Sequence, residues 1–380
     1  MKFSLRKWMP FVYFVSFCVL GAIGPYMAQE LGGRGVRNLG LVLVLPAFSS
    51  LLVSPIWGLA ADRWRAWGAV MRAASFLSTG GLFFLAFSDP RWGLAAMAVH
   101  AIGRSPLTPI IDSLAMQSVD GASEDYGPLR LWGSLGFLAG ALGIAAMKQF
   151  MGGDALVVGA WLSLVLFGIT LCIPNPKRVE RTELKDSLAL LGRDRQLQIL
   201  LLGAVLHFAP HMACDAFLAV HIEELGLPPL WTGVSIMCGI LIEVYALWKG
   251  RALLSSRDPA SLFLIAACIG LFRWFGMSFA EGGVWIMLLQ ASHGLSFGLF
   301  WLAAVSLVSE RTPSDMPATG QALLSSAVGG IGAGGGIYAA AELAEAFGTK
   351  SIFQAGLAAE GLAILCAWQL IRKRTEAKPS

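Results

Sequence analysis

Two histidines and one aspartate share a face of an otherwise apolar segment, "LHFAPHMACD". His207, His211 and Asp215 lie at positions i, i+4 and i+8, so on a helix with about 100° per residue they drift by only about 80°. Histidine changes charge near physiological pH, so a face that also carries a carboxylate can accept, hold and release a proton. Pro210 between the histidines removes one backbone hydrogen bond and loosens the helix. We expect either a proton-handling face or a polar stripe that water satisfies.

The same segment contains soft metal ligands. Met212 and Cys214 accompany His211 and Asp215, and such a set suits copper. On a helix, Met212 and Cys214 point about 100° and 300° away from His211, so one segment cannot gather them around one ion. The six cysteines include no CxxC pair, which argues against a zinc site and a disulfide framework. We therefore predict neither a metal nor a cofactor.

Further ionisable residues lie inside apolar segments: Arg104, Asp112, Glu243, Arg273 and His293. An ionisable side chain at the bilayer centre costs about 2.5–3.5 kcal/mol on insertion scales, so such residues pair with one another or face a cavity. Glu243 and Arg273 are candidates for a purely structural ion pair, because breaking the pair would leave a charge in a dry interior. The pattern as a whole predicts a network of polar side chains that lines a cavity.

Composition identifies the elements that carry these residues. With 56% hydrophobic and 14% charged residues, the chain is much less charged than a soluble domain, in which the charged share is about 25%. Apolar segments of about 20 residues are long enough to span a membrane as helices. Twelve such segments are predicted: 8–29, 38–61, 67–88, 92–119, 130–149, 155–174, 196–222, 229–250, 259–280, 282–309, 317–341 and 349–371.

The lysines and arginines indicate how the chain is oriented. Nineteen of them fall in the termini and in alternate loops, whereas the opposite loops contain five. By the positive-inside rule, we expect a multi-pass protein of the plasma (inner) membrane with both termini in the cytoplasm. The net charge of +4 follows from this asymmetry, so no nucleic-acid partner is predicted.

A polar stretch with charges of both signs separates two halves of similar length. We predict an N-terminal six-helix bundle at 1–174, a cytoplasmic linker at 175–195 and a C-terminal six-helix bundle at 196–380. "QELGGRGVRNLG" in the first half is echoed by "EELGLPPLWTG" in the second. One shift of 193 residues relates four pairs: Gly40 and Gly233, His100 and His293, Gly127 and Gly320, Gly136 and Gly329. These features predict two six-helix repeats around a central cavity.

The loop "GLAADRWR" joins the second and third predicted helices. Gly58 permits close helix contact, and Asp62 is placed to cap a helix or to pair with Arg63 or Arg65. Here the chain resembles the major facilitator superfamily, whose signature loop runs Gly, three residues, Asp, Arg and then further basic residues. Trp64 and Trp67 stand where small or basic residues are usual in that loop. The resemblance implies a gating role for Gly58, Asp62 and Arg63, and the alternative is a topological anchor.

A closer resemblance, to the lactose-permease branch and its relatives that carry aromatic acids, rests on four stretches. They are "PIIDSLAMQ", "YGPLRLWGSLGF", "RWFGMSFA" and "QASHGLSF", and their ungapped spacing from Asp112 to Arg130 and from Arg273 to His293 matches that branch. In that branch, a carboxylate and an arginine hold the substrate while an aromatic ring stacks on it. The resemblance implies substrate binding by Asp112 and Arg130 and stacking by Phe137.

Charges on helices 7 to 10 carry the coupling proton in that branch. The implied residues here are Glu243, Arg273 and His293, together with the face formed by His207, His211 and Asp215. The branch has a second carboxylate one turn after the helix-10 histidine, where this chain has a serine, and Glu243 lies about one turn from the expected helix-8 position. We therefore expect the coupling carboxylate to be Glu243 or Asp215.

The sequence contains neither a phosphate-binding loop nor a recognisable catalytic constellation, so we predict no enzyme. We expect a monomeric, all-α secondary transporter in the lipid bilayer. It would move a small polar organic solute, of the sugar, nucleoside or aromatic acid class, by alternating access with proton symport. The alternatives are an exporter, a facilitative carrier without proton coupling, and a membrane sensor that does not transport.

Overall fold

The computed structural model describes residues 5–54, 56–57, 60, 67–118, 123–173, 192, 194–249, 254–312, 320 and 323–376. Within these residues, eleven helices are long and apolar enough to cross a membrane, and a twelfth apolar helix, Leu39–Val53, is shorter. Each coincides with one of the twelve segments predicted from hydropathy. The expected all-α architecture with twelve membrane helices is confirmed.

The helices are numbered α1 to α12 in chain order. The first six are α1 (Leu5–Ile23, extended by Gly24–Tyr26 and Met27–Gly33), α2 (Leu39–Val53), α3 (Trp67–Phe87), α4 (Gly93–Arg104 and Leu107–Ser118), α5 (Ser123–Met151) and α6 (Ala155–Cys172). The remaining six are α7 (Arg195–Glu224), α8 (Leu230–Trp248), α9 (Pro259–Phe279), α10 (Gly283–Arg311), α11 (Leu323–Phe347) and α12 (Lys350–Glu376).

The chain forms two compact units. The first comprises Met1–Glu180, Ala216–Glu223 and Pro228–Gly233, and the second comprises Arg181–Asp215, Glu224–Leu227 and Val234–Ser380. Most of the predicted linker at 175–195 lies outside the described residues.

Glycines bring α1 and α5 into backbone contact in the first unit. A Cβ atom on Gly21 would collide with the backbone of Phe137, and one on Gly136 would collide with the backbone of Phe14. Small residues at such a crossing let two membrane helices approach closely, which increases their van der Waals contact. The backbone of Phe137, one of the predicted substrate residues, is therefore held tightly against α1.

A proline divides α4 into two parts. Pro106 has no N–H to donate to the carbonyl of Ile102 four residues earlier. That carbonyl accepts hydrogen bonds from Trp57 Nε1 at 2.9 Å and from Ser105 Oγ at 3.0 Å. Arg104 lies at the end of the first part of α4, and Asp112 lies in the second part.

A shared capping contact supports the internal repeat. In the first unit, Glu30 Oε1 accepts a hydrogen bond from the backbone N–H of Ala155, at the start of α6, at 3.1 Å. In the second unit, Glu224 Oε2 accepts one from the backbone N–H of Thr349, just before α12, at 3.2 Å. The two residues of each pair are 125 residues apart along the chain, so the two contacts are equivalent. The offset from Glu30 to Glu224 agrees with the predicted shift of 193 residues to within one residue.

Candidate functional site

The predicted polar face of α7 lies in the second unit, and its two histidines are buried. The side chains of His207 and His211 are fully buried, and their ring centroids are 4.5 Å apart. His211 Nδ1 lies 2.8 Å from the carbonyl oxygen of His207, so this nitrogen donates and the lone pair of the neutral ring lies on Nε2. Asp215, one turn further along α7, is half-buried.

Glu360 on α12 completes this face, although the sequence interpretation did not include it. Its carboxylate is fully buried. Oε1 lies 2.5 Å from His207 Nδ1, and Oε2 accepts a hydrogen bond from Trp274 Nε1 at 2.9 Å. On α9, a Cβ atom on Gly270 would lie 2.7 Å from the carboxyl group, so the missing side chain provides the space for it.

The sequence did contain a signal for Glu360. It is a single carboxylate within the apolar run "AGLAAEGLAILCAW", and the free-energy cost of inserting a charge applies to it as it does to Asp112 or Glu243. The resemblance directed attention to helices 7 to 10, and Glu360 lies on the twelfth helix.

Arg273 on α9 is fully buried beside the histidines. Its Nη2 atom donates to Gln290 Oε1 and, at 3.3 Å, to Cys214 Sγ. Its guanidinium carbon lies 4.2 Å from the ring centroid of Trp274, within the range of a cation–π contact. Among the described residues, its hydrogen bonds go to α7 and α10 and not to Glu243, the partner expected from the sequence. Asp215 lies within electrostatic range of Arg273.

His293 on α10 belongs to the same cluster. Its ring centroid is 5.2 Å from that of His211, and its ring stacks on Phe297 at 5.5 Å. Glu243 on α8 is half-buried, and its backbone packs against Gly294 of α10. The structure therefore brings His207, His211 and His293 together with Arg273, and Glu243 lies on α8 beside the residue that follows His293.

Three members of the cluster have the spacing of metal ligands. The nearest ligand atoms of His207, His211 and Glu360 lie within 4.8 Å of one another. Each Glu360 oxygen has one hydrogen-bond partner, His207 or Trp274, and keeps a further lone pair. The copper set considered from the sequence is not gathered, since Cys214 contacts Arg273 and Met212 packs against the apolar core.

The predicted substrate residues lie in the first unit. Tyr13 of α1 donates a hydrogen bond to Asp112 Oδ1 at 2.7 Å, and Asp112 is half-buried. Arg104 is about nine-tenths buried, and its Nε, Nη1 and Nη2 atoms have no hydrogen-bond partner among the described residues. Phe137 is half-buried on α5. The side chain of Arg130 lies outside the described residues, so its role in substrate binding stays a prediction.

The three predicted gating residues are Gly58, Asp62 and Arg63. All three lie outside the described part of the chain, and their role stays a prediction as well.

Comparisons with known proteins agree with this architecture. The maltose permease of Geobacillus stearothermophilus is 26% identical over 337 residues, covering 85% of this chain and 84% of that protein. A probable 3-phenylpropionic acid transporter of Escherichia coli (strain K12) is 26% identical over 328 residues, covering 83% and 85%. The crystal structure of the nucleoside transporter NupG superposes with a TM-score of 0.81 at 18% identity, covering 98% of this chain and 99% of that one. The sequence model of the MFS_1 like family matches residues 7–355, and the chain belongs to this family of the major facilitator superfamily.

Proposed function

We propose that this chain is a proton-coupled symporter of a small polar organic solute. The chain is a multi-pass membrane transporter of small organic solutes and not an enzyme. Proton coupling is supported above all by the cluster of His207, His211 and Arg273, which are fully buried in membrane helices, together with the half-buried His293. Placing ionisable side chains inside membrane-spanning helices costs free energy, so their presence here is best explained by a proton pathway.

Several groups are candidates for the coupling residues. Asp215 lies one turn from His211 and within range of the Arg273 charge, and Glu243 lies on the neighbouring α8. A coupling carboxylate has to be protonated in one step of the cycle and ionised in another. Both residues are therefore retained as candidates.

Asp112, Arg130 and Phe137 are the proposed substrate residues. The names of the relatives supply three solute classes: a sugar, an aromatic acid and a nucleoside. Asp112, held by the Tyr13 hydroxyl, is suited to accept hydrogen bonds from solute hydroxyl groups. Arg104 favours a solute that also carries an anionic or strongly accepting group, because its three nitrogens lack partners among the described residues.

The proposed setting is the inner membrane, with both termini in the cytoplasm and the chain active as a monomer. Residues 1–174 and 196–380 would form the two six-helix halves of the transporter, joined by the linker at 175–195. Gly58, Asp62 and Arg63 would control the cytoplasmic gate. The asymmetry of lysine and arginine between loops supports this orientation.

Uptake by purified protein in liposomes tests the proposal. Radiolabelled maltose, uridine or 3-phenylpropionate is added outside liposomes whose interior is alkaline, with and without a protonophore. We expect one of the three to accumulate above its external concentration and the protonophore to abolish that accumulation. Equilibration without accumulation would identify a facilitative carrier, and binding without movement would identify a sensor.

A further inference from the structure

We propose that Glu360 and His207 together form the proton-binding site of the transport cycle, an assignment that rests on the proposed symport. Neither the resemblance nor the comparisons assign a role to Glu360. The two side chains belong to α12 and α7 and are separated by 153 residues in the chain. Both are fully buried.

The geometry defines where the proton binds. With Glu360 ionised, His207 Nδ1 donates to Oε1 across 2.5 Å. His207 Nε2 then presents a lone pair, and it has no hydrogen-bond partner among the described residues. Trp274 donates to the second carboxylate oxygen at 2.9 Å and so holds it in place. The pair therefore has one open position, which accepts a single proton.

Proton binding changes the charge of the pair by one unit. The empty pair, a carboxylate and a neutral imidazole, carries a charge of −1. A proton taken from water on one side of the membrane binds Nε2 and gives an imidazolium beside the carboxylate, with a net charge of zero. Release of the proton to water on the other side restores the empty pair, and no electrons are transferred.

The surroundings distinguish the two charge states. A buried charge without compensation is costly, so the neutral, loaded pair is the form that a dry interior tolerates. A positive charge in the same cluster is Arg273, which stacks on the same Trp274 that holds Glu360. Arg273 keeps Nε and Nη1 without hydrogen-bond partners among the described residues. The pair and the guanidinium are thus coupled through one indole ring.

Other titratable groups face the pair from its neighbours. His211 comes from α7, Cys268 from α9 and His293 from α10, each within electrostatic range of Glu360 or His207. From α11, Glu342 and Glu345 are exposed. Among these groups, Glu360 is the buried carboxylate and His207 is the imidazole in direct contact with it. The proton is therefore assigned to these two side chains.

The transport test uses the full-length protein in liposomes and the solute that the wild type accumulates among maltose, uridine and 3-phenylpropionate. Glu360→Gln and His207→Gln should each reduce pH-driven accumulation to the equilibrium value, while solute exchange without a gradient stays within about twofold of wild type. The exposed Glu345→Gln is the matched control and should retain both activities. Undiminished accumulation by Glu360→Gln and His207→Gln would overturn the assignment.

A second measurement separates this assignment from the proposed function. Infrared difference spectra between acidic and alkaline buffer, recorded on detergent-purified protein without solute, report carboxyl and imidazole protonation. We expect Glu360→Gln and His207→Gln to remove the same proton-binding step, because the two side chains are in direct contact and would share one proton. Two independent steps, or none, would overturn the shared site. A shared step in a wild type that accumulates none of the three solutes would instead contradict the symport.

The metal alternative is resolved by the same variants. If Zn²⁺ raised the thermal unfolding temperature of the wild type and Glu360→Gln abolished this stabilisation, the cluster would be a metal site and the proton assignment would fall. We expect Zn²⁺ to leave the unfolding temperature unchanged. Thermal unfolding also checks that each variant is folded before transport is interpreted.

Discussion

At the scale of single residues, Asp112 is the best-defined candidate for solute binding. The Tyr13 hydroxyl holds one carboxylate oxygen at 2.7 Å, and the carboxylate can accept further hydrogen bonds. Asp112→Ala should therefore weaken solute binding by about 1.5–3 kcal/mol, roughly tenfold or more in affinity. Equilibrium binding of the accumulated solute to detergent-purified protein measures this loss.

Tyr13→Phe is the matched control for this prediction. It removes the hydroxyl that orients Asp112 but leaves the carboxylate, so its loss should be smaller, about 0.5–1.5 kcal/mol. Binding by Asp112→Ala that equals wild-type binding would remove Asp112 from the solute site.

Two further carboxylates are compared by their effect on coupling. Glu243→Gln and Asp215→Asn each imitate a permanently protonated side chain. At a true coupling site, such a change should abolish pH-driven accumulation and preserve exchange, because the solute still binds while the proton no longer moves. Asp215 is the stronger candidate, since Arg273 lies within electrostatic range of it. If both variants concentrate the solute as the wild type does, coupling does not pass through Glu243 or Asp215.

At the scale of helices, the crossing of α9 and α12 determines where Glu360 lies. Gly270 leaves the space that the carboxyl group occupies, and an added Cβ would lie 2.7 Å from it. The carboxyl group must then shift away from His207 and Trp274. Gly270→Ala should therefore reduce pH-driven accumulation and lower the thermal unfolding temperature in detergent.

Gly361→Ala provides the matched control, on the helix of Glu360 itself. A Cβ at this position meets nothing within 4 Å, and alanine is favoured over glycine in a helix interior by about 1 kcal/mol. This variant should keep full accumulation and an equal or higher unfolding temperature. If Gly270→Ala and Gly361→Ala show the same accumulation and the same unfolding temperature, the position of the Glu360 carboxyl group does not matter for coupling.

At the scale of the whole molecule, the loop containing Asp62 is expected to control the rate of alternation. Asp62→Asn removes the charge of a residue proposed for gating, and Asp62 is not among the proposed substrate residues. We expect it to slow transport while the affinity for the solute is unchanged, because the loop would stabilise one state of the cycle. Initial uptake rates and equilibrium binding measure the two quantities separately. Unchanged turnover would make the loop a topological anchor.

The sequence by itself determined the properties that depend on neighbouring residues in the chain. The length and hydropathy of a segment decide whether it can cross a bilayer, so all twelve helices were predictable. Helical periodicity likewise placed His207, His211 and Asp215 on one face of α7, where the structure has the two histidine rings 4.5 Å apart. The repeat could be predicted because equivalent residues in the two halves have the same spacing along the chain. Glu30 and Glu224 make equivalent capping contacts in the structure.

Only the tertiary structure decided which distant side chains meet. Glu360 contacts His207 across 153 residues of chain, and Arg273 donates to Gln290 and Cys214 where Glu243 was the expected partner. Hydropathy specifies that a helix crosses the membrane but says little about its rotation or its neighbours. Those depend on side-chain packing between helices, as at Gly270, where a missing Cβ makes room for a carboxylate from another helix. The polar network in the second unit is therefore a product of helix packing, and no single segment of the sequence encodes it.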